Sequence, residues 1–252
     1  MNGYYTFRGR QRFGSGVKWL IIACVSVFIL QIIFPNLTLR LFALSHSDVV
    51  GRLWLWQPVT YIFLHGGFIH LFFNMFVLWM FGRVLEQLWG TKEFLKFFFI
   101  SGIGAGITCI IFSSYPTIGA SGAIYGLLAA YGIIFPEQYI YLYFFFPIKS
   151  KYFVILFAVL EFFASFSSSR DGIAHFAHLG GMLFGVVYLL IRQKVFRKRL
   201  GKVIQFPKHP ESISDEEIDR ILDKISHQGI GSLTKEEQRA LYYFGKKLKR
   251  RR

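Results

Sequence analysis

Ser121 stands in the run Gly119-Ala-Ser-Gly-Ala-Ile-Tyr-Gly126, a lone hydroxyl among small residues where a strongly apolar stretch begins. It has two readings. A small polar residue at membrane depth lets another helix approach closely, which would make Ser121 a packing residue. Alternatively it is a nucleophile, and the glycines let its partners reach it. The second reading needs a base from elsewhere in the chain. His175 and His178 lie three residues apart, and His70 and Asn74 lie four apart, so each pair shares one face of a helix. Gly122 and Gly126 form a G-x-x-x-G one residue behind Ser121, and Gly181 and Gly185 repeat it three residues behind His178. Two such faces pack backbone to backbone and would bring a serine and a histidine within hydrogen-bond reach, roughly 3 Å. No acidic residue sits near enough in either helix to complete a triad, so the expectation is a two-residue Ser–His dyad. His70, Asn74 and the backbone N–H of Ser121 are then the candidate donors to a developing oxyanion. His70, His175 and His178 could instead ligate a metal. No carboxylate accompanies them at that depth and a metal leaves the Ser–Gly context unexplained, so neither metal nor cofactor is expected.

These residues must be positioned by a membrane-embedded body. The 252 residues are 54% hydrophobic and only 17% charged, with a mean hydropathy of +0.43, whereas a soluble domain is about one quarter charged. The net charge of +15 is concentrated before Trp19 and after Ile191. Basic ends on an apolar body fit flanks beside anionic lipid rather than a nucleic-acid stripe. Cys24 and Cys109 lie inside apolar runs, so a disulfide framework is not expected. The first apolar run lacks a small-x-small cleavage site and reads as a retained span.

Six apolar spans are predicted, at 17–34, 60–81, 94–113, 119–135, 152–166 and 173–191. Between them lie a large, partly embedded loop at 35–58, a charged loop at 82–96 and an interfacial aromatic stretch at 139–146. Short turns fall at 114–118 and 167–172. The fold class is therefore all-α, a six-helix polytopic bundle. Its organisation is a tail at 1–16, a catalytic body at 17–192 and a basic region at 193–252 carrying a helical hairpin. Ser214 with Glu217 and Thr234 with Glu237 have capping-box spacing and open its two helices. Basic residues favour the loops that place both termini in the cytoplasm. The second, fourth and sixth spans then start on the opposite side, with Ser121, His178, His70 and Asn74 at similar depth. Ionisable residues in spans mark function by default, which singles out the four histidines there; the short fifth span contains Glu161.

The motifs together resemble the rhomboid family of intramembrane serine proteases over about residues 17–192. Gly119-Ala-Ser-Gly122 resembles the family's G-x-S-G, His70-Leu-Phe-Phe-Asn74 its H-x-x-x-N, and Ala177-His178-Leu-Gly-Gly181 with Gly185 its A-H-x-x-G-x-x-x-G. The resemblance implies Ser121 as nucleophile, His178 as general base, and His70 and Asn74 as oxyanion contacts. It implies that Tyr125 stacks on the catalytic histidine and that Gly119, Gly122 and Gly181 support the site. His65 and Gly82-Arg-Val-Leu-Glu86 match family positions of structural kind, Glu86 tying helix ends together. His175 also follows an alanine, but only His178 is followed by glycines at both family offsets. Trp56 is followed by Gln57 where the family commonly has arginine, which bears on how the first loop is anchored. The C-terminal hairpin looks like a region appended in some bacterial relatives.

The expected activity is a serine endopeptidase that hydrolyses peptide bonds in or near transmembrane helices of other proteins. The resemblance implies a multi-pass protein of a bacterial cytoplasmic membrane, with membrane proteins as substrates. A catalytically silent relative that binds membrane proteins is the main alternative. A small transporter with a His/Asn pathway is another, against which stands the absence of a charged pair crossing the bilayer depth.

Overall fold

The computed structural model describes residues 15–113, 115–142, 146–166 and 174–192, and in the C-terminal region 215–228, 232–234, 237 and 241. The chain divides into two units, Met1–Val203 and Ile204–Arg252.

The first unit is helical. Its elements are α1 (Ser15–Ile33), α2 (Pro35–Phe42), α3 (Gln57–Thr60), α4 (Phe68–Val77), α5 (Arg83–Trp89), α6 (Thr91–Phe112), α7 (Ser121–Ile134), α8 (Ser150–Ala164) and α9 (His175–Ile191). Segments Ser15–Ile33, Phe68–Trp89 and Thr91–Phe112 are long and apolar enough to cross a membrane, and α7 and α9 are shorter apolar helices. Large apolar side chains on the outer surface, among them Ile29, Phe73, Phe163 and Leu183, are exposed. That is the pattern of a polytopic membrane protein whose solvent is lipid. At about 1.5 Å per residue α7 runs roughly 21 Å against a hydrocarbon layer of about 30 Å. A helix that short does not reach both faces of such a layer, and it begins at Ser121.

The second span differs from its predicted limits at both ends. Thr60 closes α3, Tyr61–Phe63 form a 3-10 turn, and the helix proper starts at Phe68. The side chain of Gln31 on α1 takes over the backbone of His65, accepting from its N–H at 3.1 Å and donating to its carbonyl at 2.8 Å. Leu64 and Gly67 are extended there. At the far end Arg83 and Glu86 do not lie in a loop. The helix continues to Trp89, because buried Glu86 is fully partnered, and stops at Gly90, whose φ of +80° suits glycine. Glu86 accepts from the N–H of Gly16 at 2.8 Å, from that of Val17 at 3.0 Å and from the Thr91 hydroxyl at 2.6 Å. It thus satisfies the first turn of α1 and ties it to α5 and α6.

The first loop is more regular than a loop reading implies, containing α2, a π turn at Ser47–Gly51 and α3. Gln57 anchors it: fully buried, it accepts from Ser45 N–H at 3.1 Å and donates to Asp48 at 3.4 Å. Arg52 holds the same aspartate at 2.8 Å, and the Trp56 indole donates to the Leu41 carbonyl at 2.8 Å. The aromatic stretch after α7 is an antiparallel hairpin, β1 (Tyr139–Leu142) with β2 (Phe146–Lys149), Tyr139 opposite Lys149. Alternating aromatic and β-branched residues favour strands over a helix there.

The core centres on α6, α7 and α9, and small residues set its spacing. A Cβ on Gly104 of α6 would fall 2.1 Å from the Phe184 ring of α9. Between α7 and α9 the approach is closer still: a Cβ on Gly181 would lie 1.9 Å from the Gly122 carbonyl oxygen. One on Gly126 would lie 2.9 Å from the Gly181 carbonyl, and one on Gly185 3.1 Å from Gly126 Cα.

In the second unit α10 (Asp215–Gln228) buries Ile218 and Ile221, with Leu233 also buried. Thr234 and Glu237 form the reciprocal capping box: Thr234 N–H donates to the carboxylate at 2.7 Å and Glu237 N–H to the hydroxyl at 3.2 Å. Lys224 holds the same carboxylate at 2.9 Å. The box at Ser214 and the body of the following helix lie outside the described residues.

Candidate active site

Three short backbone links deliver Ser121 to its place. Leu44 and Thr117 exchange N–H···O bonds of 3.0 and 2.9 Å, and Gly119 N–H donates to the Tyr61 carbonyl at 2.9 Å. Tyr61, almost completely buried, donates its own hydroxyl to the Gly102 carbonyl at 2.6 Å. The chain then turns into α7 through Gly119 at φ +121°, a conformation only glycine adopts readily. Ser121 is the first residue of the helix, so its N–H has no intrahelical acceptor and lies at the positive end of the helix dipole.

The packing of α7 on α9 brings His178 to this point. Its Nε2 lies 2.8 Å from Ser121 Oγ. Tyr125, one turn along α7, stacks on the imidazole with centroids 4.2 Å apart and planes 8° from parallel. His175 does not share the serine; its ring stands nearly perpendicular to that of His178, 6.4 Å away. Of the two histidine registers in the sequence, the structure gives the serine contact to His178.

His70 approaches from α4. The space a Gly119 Cβ would fill lies 3.0 Å from His70 Nε2 and 3.8 Å from Ser121 Oγ, so glycine keeps the gap between them open. His70 Nδ1 faces the N–H of Gly66 at 3.2 Å. Accepting that bond puts the imidazole proton on Nε2, toward the serine. Asn74 is buried one turn further on and donates one amide N–H to the His70 carbonyl at 2.7 Å, which leaves its second N–H for a ligand. His65 is fully buried against the His70 ring at 5.2 Å and makes a structural contact with Phe63.

One residue of the site was absent from the sequence-level constellation. Glu161 on α8, only 8% exposed, turns its carboxylate to the side of His178 away from the serine. Oε1 accepts from the Tyr125 hydroxyl at 2.5 Å and lies 3.0 Å from His178 Nδ1, while Oε2 lies 2.6 Å from His175 Nδ1. The Nδ1–Oε1 contact is close but off the ring N–H direction, so Nδ1 has no aligned hydrogen bond. The signal that could have found Glu161 was its being an ionisable residue within a span; its partners are visible only once α8 packs beside α7 and α9. Of the metal-ligand alternative, the structure groups a different set: ligand atoms of Glu161, His175 and His178 lie within 4.8 Å of one another, without His70.

The arrangement can activate a hydroxyl for attack on a carbonyl. A neutral imidazole at that distance is placed to accept the Oγ proton, and the His70 ring lies across the Gly119 gap from the same hydroxyl.

The Rhomboid domain family matches residues 52–194, more than half of the chain, and a family of unknown function matches residues 212–247. "Rhomboid-like protease 3" of Toxoplasma gondii is 28% identical over 189 residues, 71% of this chain and 70% of that protein. "Rhomboid protease GlpG" of Salmonella paratyphi A is 28% identical over 195 residues, 75% of this chain and 67% of that protein. "Rhomboid protease GluP" of Bacillus subtilis is 39% identical over 93 residues, which cover 37% of this chain but only 18% of the longer relative. With its Ser–Gly helix start, its histidine-bearing partner helix and this match, the chain belongs to the rhomboid family, an integral, multi-pass membrane protein.

Proposed function

We propose that this protein is an intramembrane serine endopeptidase in which Ser121 is the nucleophile and His178 the general base. The observation that carries the proposal is the 2.8 Å contact between Ser121 Oγ and His178 Nε2, made across helices too close to admit a side chain at Gly181. In the reaction Nε2 takes the hydroxyl proton as Oγ attacks the scissile carbonyl. The tetrahedral oxyanion forms beside the N–H of Ser121, with His70 Nε2–H and the free Asn74 amide N–H as further donors. The imidazolium returns its proton to the leaving amine, giving an acyl-enzyme at Ser121. Water, deprotonated by the same nitrogen, then releases the acid.

Substrates are transmembrane helices of other proteins. A helix hides its carbonyls in hydrogen bonds, so cleavage requires local unwinding, and helix-weakening residues near the cut favour it. The body at 17–192 carries the chemistry, the 1–16 tail and the basic 193–252 region are cytoplasmic, and the site opens to the other side of what we take to be a bacterial cytoplasmic membrane. Tyr125, Gly119, Gly122 and Gly181 hold the dyad in place. A reporter protein with a cleavable span, incubated with the enzyme in proteoliposomes, tests the reading: wild type cleaves it and Ser121→Ala does not. Undiminished cleavage by Ser121→Ala would refute it.

A further inference from the structure

We propose that Glu161 is a third, positioning member of the catalytic apparatus, so that this chain works with a Ser121–His178–Glu161 relay; the inference rests on the serine-protease reading above. The geometry fits this role on three counts. His178 has Nε2 on the serine at 2.8 Å and Nδ1 at 3.0 Å from a buried carboxylate oxygen, so the two ring nitrogens face a nucleophile and an acid. The same oxygen accepts from the hydroxyl of Tyr125, whose ring lies flat on the imidazole, so one side chain fixes both the plane of the ring and the acid beside it. The other carboxylate oxygen is taken by His175, which stops the acid from rotating away.

The chemistry follows from the tautomer. To accept the Ser121 proton, Nε2 must be bare, and the neutral ring must carry its proton on Nδ1, facing Glu161. When Nε2 becomes protonated, the imidazolium is paired at once with the carboxylate, at a depth where an unpaired charge is costly. No net charge is created on the enzyme side beyond that moved from Oγ: the hydroxyl loses a proton, the imidazole gains it, and the carboxylate stays ionised. The off-axis Nδ1–Oε1 contact is the resting geometry, and such bonds often align only when the transition state forms.

The test compares Glu161→Gln, Glu161→Asp and wild type in reporter cleavage and in the rate of fluorophosphonate labelling. Labelling needs the activated serine but no substrate helix. We expect Glu161→Gln to lose roughly 10²- to 10⁴-fold in kcat with KM little changed, as removal of the acid does in a Ser-His-Asp enzyme. Labelling should slow in parallel, and Glu161→Asp should recover part of both. A change of less than about threefold in kcat and labelling for a folded Glu161→Gln overturns the role, as does a rise in KM alone. Should Glu161→Gln not fold, nitrogen-15 histidine NMR of the wild type decides: the His178 signals, assigned by their loss in His178→Ala, should show Nδ1 protonated and hydrogen-bonded, and an Nε2-protonated ring overturns the inference. Activity lost on chelation and restored by zinc would also overturn it, making Glu161, His175 and His178 a metal site. The two readings fail separately: a wild type that cleaves, a dead Ser121→Ala and an unimpaired Glu161→Gln leave the protease and remove the relay, whereas an inert wild type removes both.

Discussion

Glu86 and Glu161 are both nearly inaccessible carboxylates, 2% and 8% exposed, and each is surrounded by three donors. What differs is the kind of donor. Around Glu86 stand two backbone N–H groups and a threonine hydroxyl, none of which changes protonation. Around Glu161 stand two imidazoles and a phenol, and one of the imidazoles touches Ser121. The first cluster closes the end of a helix; the second is the one to which the proposed relay assigns a proton. A third carboxylate, Glu93, falls with the first kind: Tyr188 donates to it at 2.7 Å and Arg192, a permanent cation, at 3.1 Å, joining α6 to the end of α9 opposite the site. Burial of a charge within this fold therefore does not by itself mark function. Titratable partners beside a hydroxyl held by an imidazole are what set Glu161 apart.

The contrast can be broken by substitution. The largest effect on stability is expected for Glu86→Ala, which strands two N–H groups of α1 and the Thr91 hydroxyl. It should cost roughly 2–4 kcal/mol in reversible unfolding in detergent, with kcat of the folded fraction within about twofold of wild type. A tenfold fall in kcat without loss of stability would place Glu86 with Glu161 instead. Gly181→Ala comes next, since its Cβ has only 1.9 Å to the Gly122 carbonyl. Pushing α7 and α9 apart should cost about 1–3 kcal/mol and lower kcat at least about tenfold, because the same interface sets the Ser121–His178 distance. Unchanged unfolding and cleavage would mean that the helices are not packed backbone to backbone. Glu93→Gln keeps one acceptor for Tyr188 and Arg192, and about 1 kcal/mol of stability should be lost with cleavage unchanged.

The smallest effect concerns the hairpin. Lys149 and Lys151 pull the exposed Glu137 carboxyl down from 4.5 to about 2. A depressed folded-state value means that this ion pair supports the hairpin fully above the ordinary carboxylate range and is lost as pH falls from about 4.5 toward 2. Amide protection factors in β1 and β2, exchange corrected for its intrinsic pH dependence, should fall across that window in the wild type and not in Glu137→Gln.

Much of this was legible in the chain because membrane folds announce themselves by composition. The apolar runs led to the polytopic all-α class, and the G-x-x-x-G pairs to the α7–α9 contact, because both signals are local periodicities. Four features were not legible. The start of the second span at Phe68 depends on Gln31, far away in sequence, capturing the backbone of His65. The helical continuation to Trp89 was obscured because charged residues read as loop until the N-terminus of α1 supplies partners for Glu86. Glu161 was seen, but not its place in the site, since nothing in the sequence of α8 specifies which of its faces meets Tyr125 and His178. Anchorage of the first loop by Gln57, in place of the arginine common in the family, likewise rests on Ser45 and Asp48 reaching it in three dimensions.

The most direct test of the central claim is covalent. Wild-type protein in membranes should react with a fluorophosphonate at one site, and mass spectrometry should place the adduct on Ser121. The adduct should be absent from Ser121→Ala and nearly absent from His178→Ala. Labelling at another serine, or undiminished labelling of His178→Ala, would contradict the account.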